Sequence, residues 1–533
     1  MHSNIHAVEI VFLLLLFFVV VFGALARKLK TPYPIVLVIG GLLLSFIPGI
    51  PRISLNPDIV FFIILPPLLY SAAWLTSWRE FSHNLVSILL LAFGLVTFTV
   101  VGVSYACHWF LPGFDWRMGL VLGAVVAPTD AIAATSIASR IGLPKRIVDI
   151  LEGESLLNDA SALLALEFGI ALLTGEQKPG FVSGAGRFIF LTTVGILVGL
   201  AVGEVVHWFE HRIDDGPIEI ALSILTPYVA YLGAEAVHAS GVLAVVVCGL
   251  YLSRKSSHFF SPNVRLQAWA VWESLTFILN GLVFVLIGLQ LAYILDAIRN
   301  HSRRELILYG AAFSMFLIVL RLVWVYPGTY LAYFIRRKLL KQQEPTPSSK
   351  KIFVVGWTGM RGVISLAAAI ALPQVLDNGE AFTQRNMIVF LTFSVILVTL
   401  VLQGLTLPTV IRGLGLADGK DEGEPPEELE ARRLMVEAAL AYLEQTQGDG
   451  EPNEINEELT RHYRRLLNSL EQRTEPGSLP DFMRYAALSR ELLRVERQTA
   501  VGLRNQRRIS DELLRELERE LDLSETRLLE RPT

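Results

Sequence analysis

The chain has 533 residues, of which 53% are hydrophobic and 18% charged, and its mean hydropathy is +0.50. A soluble protein needs a more polar surface than this balance supplies, so the bilayer is the expected solvent. A net charge of −4 gives no footing for nucleic-acid binding.

Residues 1–412 consist of apolar runs of roughly 17 to 27 residues, long enough at about 1.5 Å per residue to cross a hydrocarbon core of about 30 Å. The first, Ala7 to Ala26, is too long for a secretory signal core. It lacks a basic start and a small-residue cleavage site before Arg27-Lys28-Leu29-Lys30, so it is expected to remain as a helix. About thirteen spans are predicted, beginning near residues 7, 33, 57, 84, 117, 149, 185, 217, 241, 269, 305, 352 and 386. The scheme divides Ala221 to Leu252 into two helices near Ala239-Ser240-Gly241. Cys107 and Cys248 lie inside apolar runs without Cys-x-x-Cys spacing and read as small core residues.

With the N-terminus outside, the basic stretches Arg27-Lys28-Lys30, Arg140-Lys145-Arg146, Arg254-Lys255-Arg265 and Arg336 to Lys351 fall on the cytoplasmic side, with Arg79 and Arg212. About seventeen basic residues then lie inside against about eight outside, in the direction of the positive-inside rule. An odd number of spans leaves the C-terminus cytoplasmic. Composition changes after Arg412: residues 413–533 are rich in Glu and Arg, with apolar residues such as Leu434, Ala438 and Ala441 at helical spacing. The expected fold is an all-α polytopic membrane domain over residues 1–412 and a soluble helical tail over 413–533, linked through Asp418 to Pro426.

Spans one to six and eight to thirteen can be taken as inverted repeats. The fifth member of the first contains Ala127-Pro128-Thr129-Asp130, where proline removes a helical hydrogen bond beside a carboxylate. Span 12, the fifth member of the second, contains Gly356-Trp357-Thr358-Gly359-Met360-Arg361-Gly362. Both are predicted broken helices, whose freed backbone is tolerated where it is buried or lines a cavity. Pro66-Pro67 and Pro227 are further predicted interruptions.

A charge at the bilayer centre costs roughly 3 kcal/mol on insertion scales, so Asp130, Glu154, Asp159, Arg321 and Arg361 are functional candidates. Glu154 with Asn158, and Ser155 with Asp159, are spaced four apart and stack on adjoining faces of one helix. If span 5 brings Thr129 and Asp130 opposite them, the cluster offers two carboxylates and two hydroxyls, hard ligands for an alkali cation. A proton and a cation can each neutralise Asp159, and competition between them gives exchange. An empty, charged carboxylate is costly to carry through a dry barrier, which couples the two fluxes. Asn158 does not titrate, so one carboxylate would carry one charge and the exchange would be electroneutral. Glu154 is expected to form a buried ion pair with Arg361 that props Asn158; Arg321 could compete for Glu154, and the sequence leaves the choice open. His83, His207 and His211 are placed in loops, and Glu167, Glu204 and Glu235 receive no role.

Ala127-Pro128-Thr129-Asp130, Glu152-Gly153-Glu154-Ser155-Leu156-Leu157-Asn158-Asp159, Gly359-Met360-Arg361-Gly362 and Leu402-Gln403-Gly404 together resemble the monovalent cation/proton antiporter family of NhaP and the animal sodium/proton exchangers. The resemblance implies thirteen helices in a dimerisation domain and a mobile core, and a homodimer working by elevator-like alternating access in the inner (plasma) membrane. It implies exchange of Na+, with Li+ or K+ as alternatives, for H+ in pH and sodium homeostasis, without cofactor or enzymatic activity. By resemblance Asp159 and Asp130 bind the transported Na+ with Thr129 and Ser155, while Asn158, Glu154 and Arg361 support them. Several relatives carry an acid after the double proline of span 3; here Leu68-Leu69-Tyr70-Ser71 places Ser71 there. A cation channel and an intramembrane aspartyl protease are the rival classes. The protease's Tyr-Asp and Gly-x-Gly-Asp patterns are absent.

Overall fold

The computed structural model describes residues 2–48, 55–111, 113–174, 181–213, 215–259, 262–298, 302–342, 345–375, 382–416, 426–447, 454–472, 479–506 and single positions from 508 to 524. The chain divides into two compact units, Met1–Gly419 and Lys420–Thr533. Most of the expected linker, 418–425, lies outside the described residues.

The first unit is a succession of helices: α1 (His2–Lys28), α2 (Tyr33–Leu44), α3 (Leu65–Leu75), α4 (Trp78–Leu89), α5 (Val96–Phe110), α6 (Trp116–Val126), α7 (Ala131–Ile141) and α8 (Lys145–Thr174). There follow α9 (Phe181–Glu210), α10 (Gly216–Ala236), α11 (Gly241–Phe259), α12 (Pro262–Ala297), α13 (Arg303–Lys338), α14 (Ser349–Trp357), α15 (Val363–Ala371), α16 (Arg385–Val398) and α17 (Gly404–Gly413). Among the described residues nine helical stretches are long and apolar enough to cross a membrane, and Tyr33–Leu44 and Ile59–Leu75 are shorter apolar ones. Every expected span falls on a helical stretch, and the division near Ala239-Ser240-Gly241 separates α10 from α11. The second unit holds α18 (Pro426–Gln447), α19 (Glu454–Gln472) and α20 (Leu479–Asn505). Val436 and Leu440 of α18 pack there against Tyr463, Leu466 and Leu467 of α19.

Two of the predicted interruptions do not break the chain's helices. Pro66 and Pro67 stand in the first turn of α3, where a missing N–H costs little, and the wide π-type turns Ile59–Ile64 lead into them without a gap. Pro227 lies inside continuous α10, as neighbouring helices and local adjustment permit in membranes. His83 and His207 also lie in helices, α4 and α9, rather than in loops. Both cysteines are buried and free.

The breaks at 127–130 and 358–362 are real, and each leaves two half-helices where one span was expected. They also meet: the backbone N–H of Asp130 donates to Met360 O at 2.8 Å. Breaks in corresponding spans of two inverted repeats thus satisfy part of each other's freed backbone. The first is held deep in the molecule because α6 packs tightly on α5. A Cβ on Gly119 would lie 2.6 Å from Ser104 Cα, and one on Gly123 2.8 Å from Val100 Cα. Small residues allow this backbone approach where no hydrophobic effect draws helices together.

Candidate functional site

Asp130 is the N-cap of α7, its Oδ1 accepting from the Ile132 N–H at 2.8 Å. Ser155 Oγ of α8 accepts from the next orphan donor, the Ala131 N–H, at 3.3 Å. The opposite face of the same carboxylate adjoins the start of α15, where a Cβ on Gly362 would lie 2.5 Å from Asp130 Oδ2. The carboxylate therefore sits at the N-terminal, partially positive ends of two half-helices.

The mirror arrangement serves the positive charge. Arg361 donates through Nε to Val126 O at 3.2 Å, the last residue of α6, and through Nη1 to Gly359 O. Its own N–H donates to Thr399 Oγ1 at 3.2 Å. A cation is thus placed at the partially negative end of α6 and in the second break, where carbonyls lack helical partners.

Arg361 consequently does not form the expected ion pair with Glu154. That partner is Arg321 of α13, with Nη1 2.6 Å from Oε1 and Nη2 2.9 Å from Oε2. Arg321 Nη2 also donates to Val355 O at 3.2 Å. The reason is local: Gly359 offers no side chain, and a Cβ there would lie 2.2 Å from Arg321 Cδ. Arg321 passes through that gap while the break's carbonyls hold Arg361.

Thr129 links the ion pair to the rest. Its hydroxyl donates to Glu154 Oε1 at 2.9 Å and accepts from Asn158 Nδ2 at 2.7 Å, while its carbonyl accepts from the same amide at 3.4 Å. The chain Arg321–Glu154–Thr129–Asn158 spans α13, α8 and the first break, and Asn158 leads directly to Asp159. Asp159 itself is 5% exposed, yet its carboxylate takes part in no hydrogen bond or ion pair among the described residues.

Asp159, Asp130, Thr129 and Ser155 line one cavity of about 260 Å³, together with Ser71, Glu152, Thr276, Asn280 and Ser365. The four residues expected to hold a cation are therefore brought together, and Ser71 lines the same cavity. Asn280 and Ser365 were not singled out from sequence. A polar residue midway along the apolar run Phe277-Ile278-Leu279-Asn280-Gly281-Leu282 was a usable signal; a serine among alanines was not.

A family description, sodium/hydrogen exchanger, transmembrane, matches residues 13–413. The chain belongs to the sodium/hydrogen exchanger family. It is 34% identical over 522 residues to a Na(+)/H(+) exchanger of Mycobacterium tuberculosis that is described as uncharacterized, covering 96% of this chain and 94% of the relative. It is 32% identical over 461 residues to the sodium, potassium, lithium and rubidium/H(+) antiporter of Bacillus pumilus, covering 83% and 66% of the two chains. Its fold is that of the sodium proton antiporter MjNhaP1 from Methanocaldococcus jannaschii, with a TM-score of 0.60 and 19% identity over 77% of this chain and 99% of that one. The exchanger is a multi-pass membrane carrier that performs cation/proton exchange.

Proposed function

We propose that the exchanger moves Na+ against H+ by letting the two compete for the Asp159 carboxylate. The observation that carries this reading is the isolation of that group: buried, lining the cavity and without a hydrogen-bond or ion-pair partner among the described residues. An uncompensated carboxylate in such a place is expensive, so it is stable only with a proton or a cation on it. Asp130 differs, because one of its oxygens caps α7 and the other lies against α15. Asp159 is then the group that changes partner, and Asp130 contributes fixed negative charge that draws a cation in. With Asn158 not titrating, one proton leaves for each monovalent cation bound, and the exchange is electroneutral.

Alternating access would expose this one cavity to the two sides in turn, the occupied site being neutral enough to cross. We assign the chain to the inner (plasma) membrane as a homodimer, with the N-terminus outside and the tail cytoplasmic, and a role in pH and sodium homeostasis. The basic residues at and near the ends of the helices support that orientation. Residues 413–533 are assigned as a separate cytoplasmic domain.

K+/H+ exchange is the second reading. It is favoured by Ser71, which lines the cavity where an acid would tighten the grip on a small ion. Proteoliposomes loaded with a pH gradient test both: adding Na+, Li+ or K+ should dissipate the gradient, and the ranking of the three identifies the cargo. Asp159→Asn should abolish the response while the protein still purifies as a folded species. Sodium-driven proton movement in that variant would sink the mechanism.

A further inference from the structure

We propose that Ser365 is a ligand of the transported cation, a neutral oxygen on the second repeat's half-helix that sets how the site ranks monovalent ions. This rests on the cavity being the transport site, as argued above.

Ser365 lies on α15, is 0% exposed, lines the cavity shared with Asp159 and Asp130, and its Oγ has no hydrogen-bond partner among the described residues. A buried hydroxyl left unmade costs about 1–3 kcal/mol, so it calls for a partner that the folded chain does not supply.

Serines and threonines inside helices usually return their hydroxyl to the carbonyl three or four residues back. Ser314, Thr392, Ser394 and Thr399 all do so here, bonding to Gly310, Ile388, Phe390 and Val395. For Ser365 those carbonyls belong to Gly362 and Arg361, in the break before α15 begins, where the backbone is not helical. The default bond is not made at the start of this helix, and the residue lines the cavity.

Its position suits a cation. Ser365 is three residues beyond Gly362, hence on the same side of α15 and about 4.5 Å along the axis. Side chains on a helix lean toward its N-terminus, which brings Oγ back toward Gly362 and the adjoining Asp130 carboxylate. The Thr129 hydroxyl, by contrast, already donates to Glu154 and accepts from Asn158. Ser155 Oγ already accepts from Ala131. Among the described residues the fully buried Ser365 hydroxyl makes none of the bonds that it can. Hard oxygens suit Na+ and Li+, and a site with Ser71 in place of an acid has more need of neutral donors.

The test compares the unaltered exchanger with Ser365→Ala, Ser365→Cys and Ser365→Thr in proteoliposomes, reading initial exchange rate against Na+, Li+ and K+ concentration at one pH. Ser365→Ala should raise the half-saturating Na+ concentration about tenfold, which corresponds to about 1.4 kcal/mol, and change the Na+ to Li+ ratio. Its maximal rate should fall by less than its affinity, since a ligand held equally in the bound state and at the barrier changes half-saturation rather than maximal rate. Ser365→Cys keeps the volume but offers soft sulfur, so it should lose affinity as the alanine does, while Ser365→Thr should track the parent. Purified protein gives an independent readout: Na+ should raise the melting temperature of the parent and of Ser365→Thr but not of Ser365→Cys.

Unchanged half-saturation and cation ratios in both Ala and Cys variants would overturn the proposal. So would a fall in maximal rate at unchanged half-saturation, which marks an effect on the conformational step instead. Cation-independent proton leak by the unaltered chain, or full exchange by Asp159→Asn, would overturn the transport-site reading itself.

Discussion

Glu154 and Arg321 face each other in a two-pronged ion pair, both side chains 1% exposed, with Thr129 hydrogen-bonded to the same carboxylate. This pair joins α8 to α13 and holds the first break in place through Thr129. Removing one member of a buried pair leaves the other charge uncompensated, typically at a cost of about 3–5 kcal/mol. Arg361 is bound differently, to carbonyls rather than to a charge. Losing those bonds costs about 1–3 kcal/mol. Arg321→Met should therefore lower the melting temperature of the detergent-purified exchanger more than Arg361→Met does. The reverse order would assign the ion pair to Arg361.

The second break is sterically tight at two glycines. A methyl group at position 359 would meet Arg321 Cδ at 2.2 Å, and one at 362 would meet Asp130 Oδ2 at 2.5 Å and its Cβ at 2.6 Å. Neither neighbour can retreat easily, since Arg321 is fixed by Glu154 and Asp130 by the start of α7. Overpacking of this kind costs about 1–3 kcal/mol. Gly359→Ala should show mainly as lost thermal stability, and Gly362→Ala as lost exchange as well, because it displaces a carboxylate of the cavity. Wild-type melting and transport in Gly362→Ala would show that the two breaks are not packed so closely.

The spans and both breaks were legible because membrane helices announce themselves by apolar length, and Ala127-Pro128-Thr129-Asp130 and the glycine-rich stretch at 356–362 interrupt it. The pairing of Ser155 with Asp159 was legible too, from spacing on one helix face, whereas the approach of Thr129 and Asp130 depended on how the broken span packs. What sequence could not resolve was which arginine reaches Glu154. That depends on the space left at Gly359 and on the carbonyls freed near Val126, both of which exist only once the two breaks cross. Pro66-Pro67 misled for a related reason: wide turns upstream absorb the prolines, and a proline pair by itself does not reveal them. Ser365 was invisible because a serine in an alanine-rich run reads as a packing residue until the start of α15 is known.

Asp130 has a capping and an electrostatic task, and two substitutions separate them. Asparagine caps a helix about as well as aspartate, whereas alanine loses typically about 1 kcal/mol. Asp130→Asn should keep the melting temperature near that of the parent while raising the half-saturating Na+ concentration, since the fixed charge beside the cavity is gone. Asp130→Ala should do both. Comparing melting curves with cation titrations of exchange checks this, and an Asn variant with unchanged cation dependence would reduce Asp130 to a cap.

Asn158 poses the sharpest question about charge. Its amide N–H group donates to both the hydroxyl and the carbonyl of Thr129, so an aspartate at 158 would set a carboxylate oxygen against an acceptor 3.4 Å away. Glu154, one turn along α8, lies close enough to share Thr129 and would add like-charge repulsion. The cheapest response is for the new acid to hold a proton permanently and donate it to Thr129, which restores the native bond without a second exchanging charge. Asn158→Asp should therefore be less stable and slower than the parent, and still electroneutral. Exchange measured in proteoliposomes under potassium-valinomycin potentials of either sign should run at the same rate. A rate that follows the imposed potential would mean that position 158 titrates during the cycle, and that the asparagine is what keeps the native exchange electroneutral.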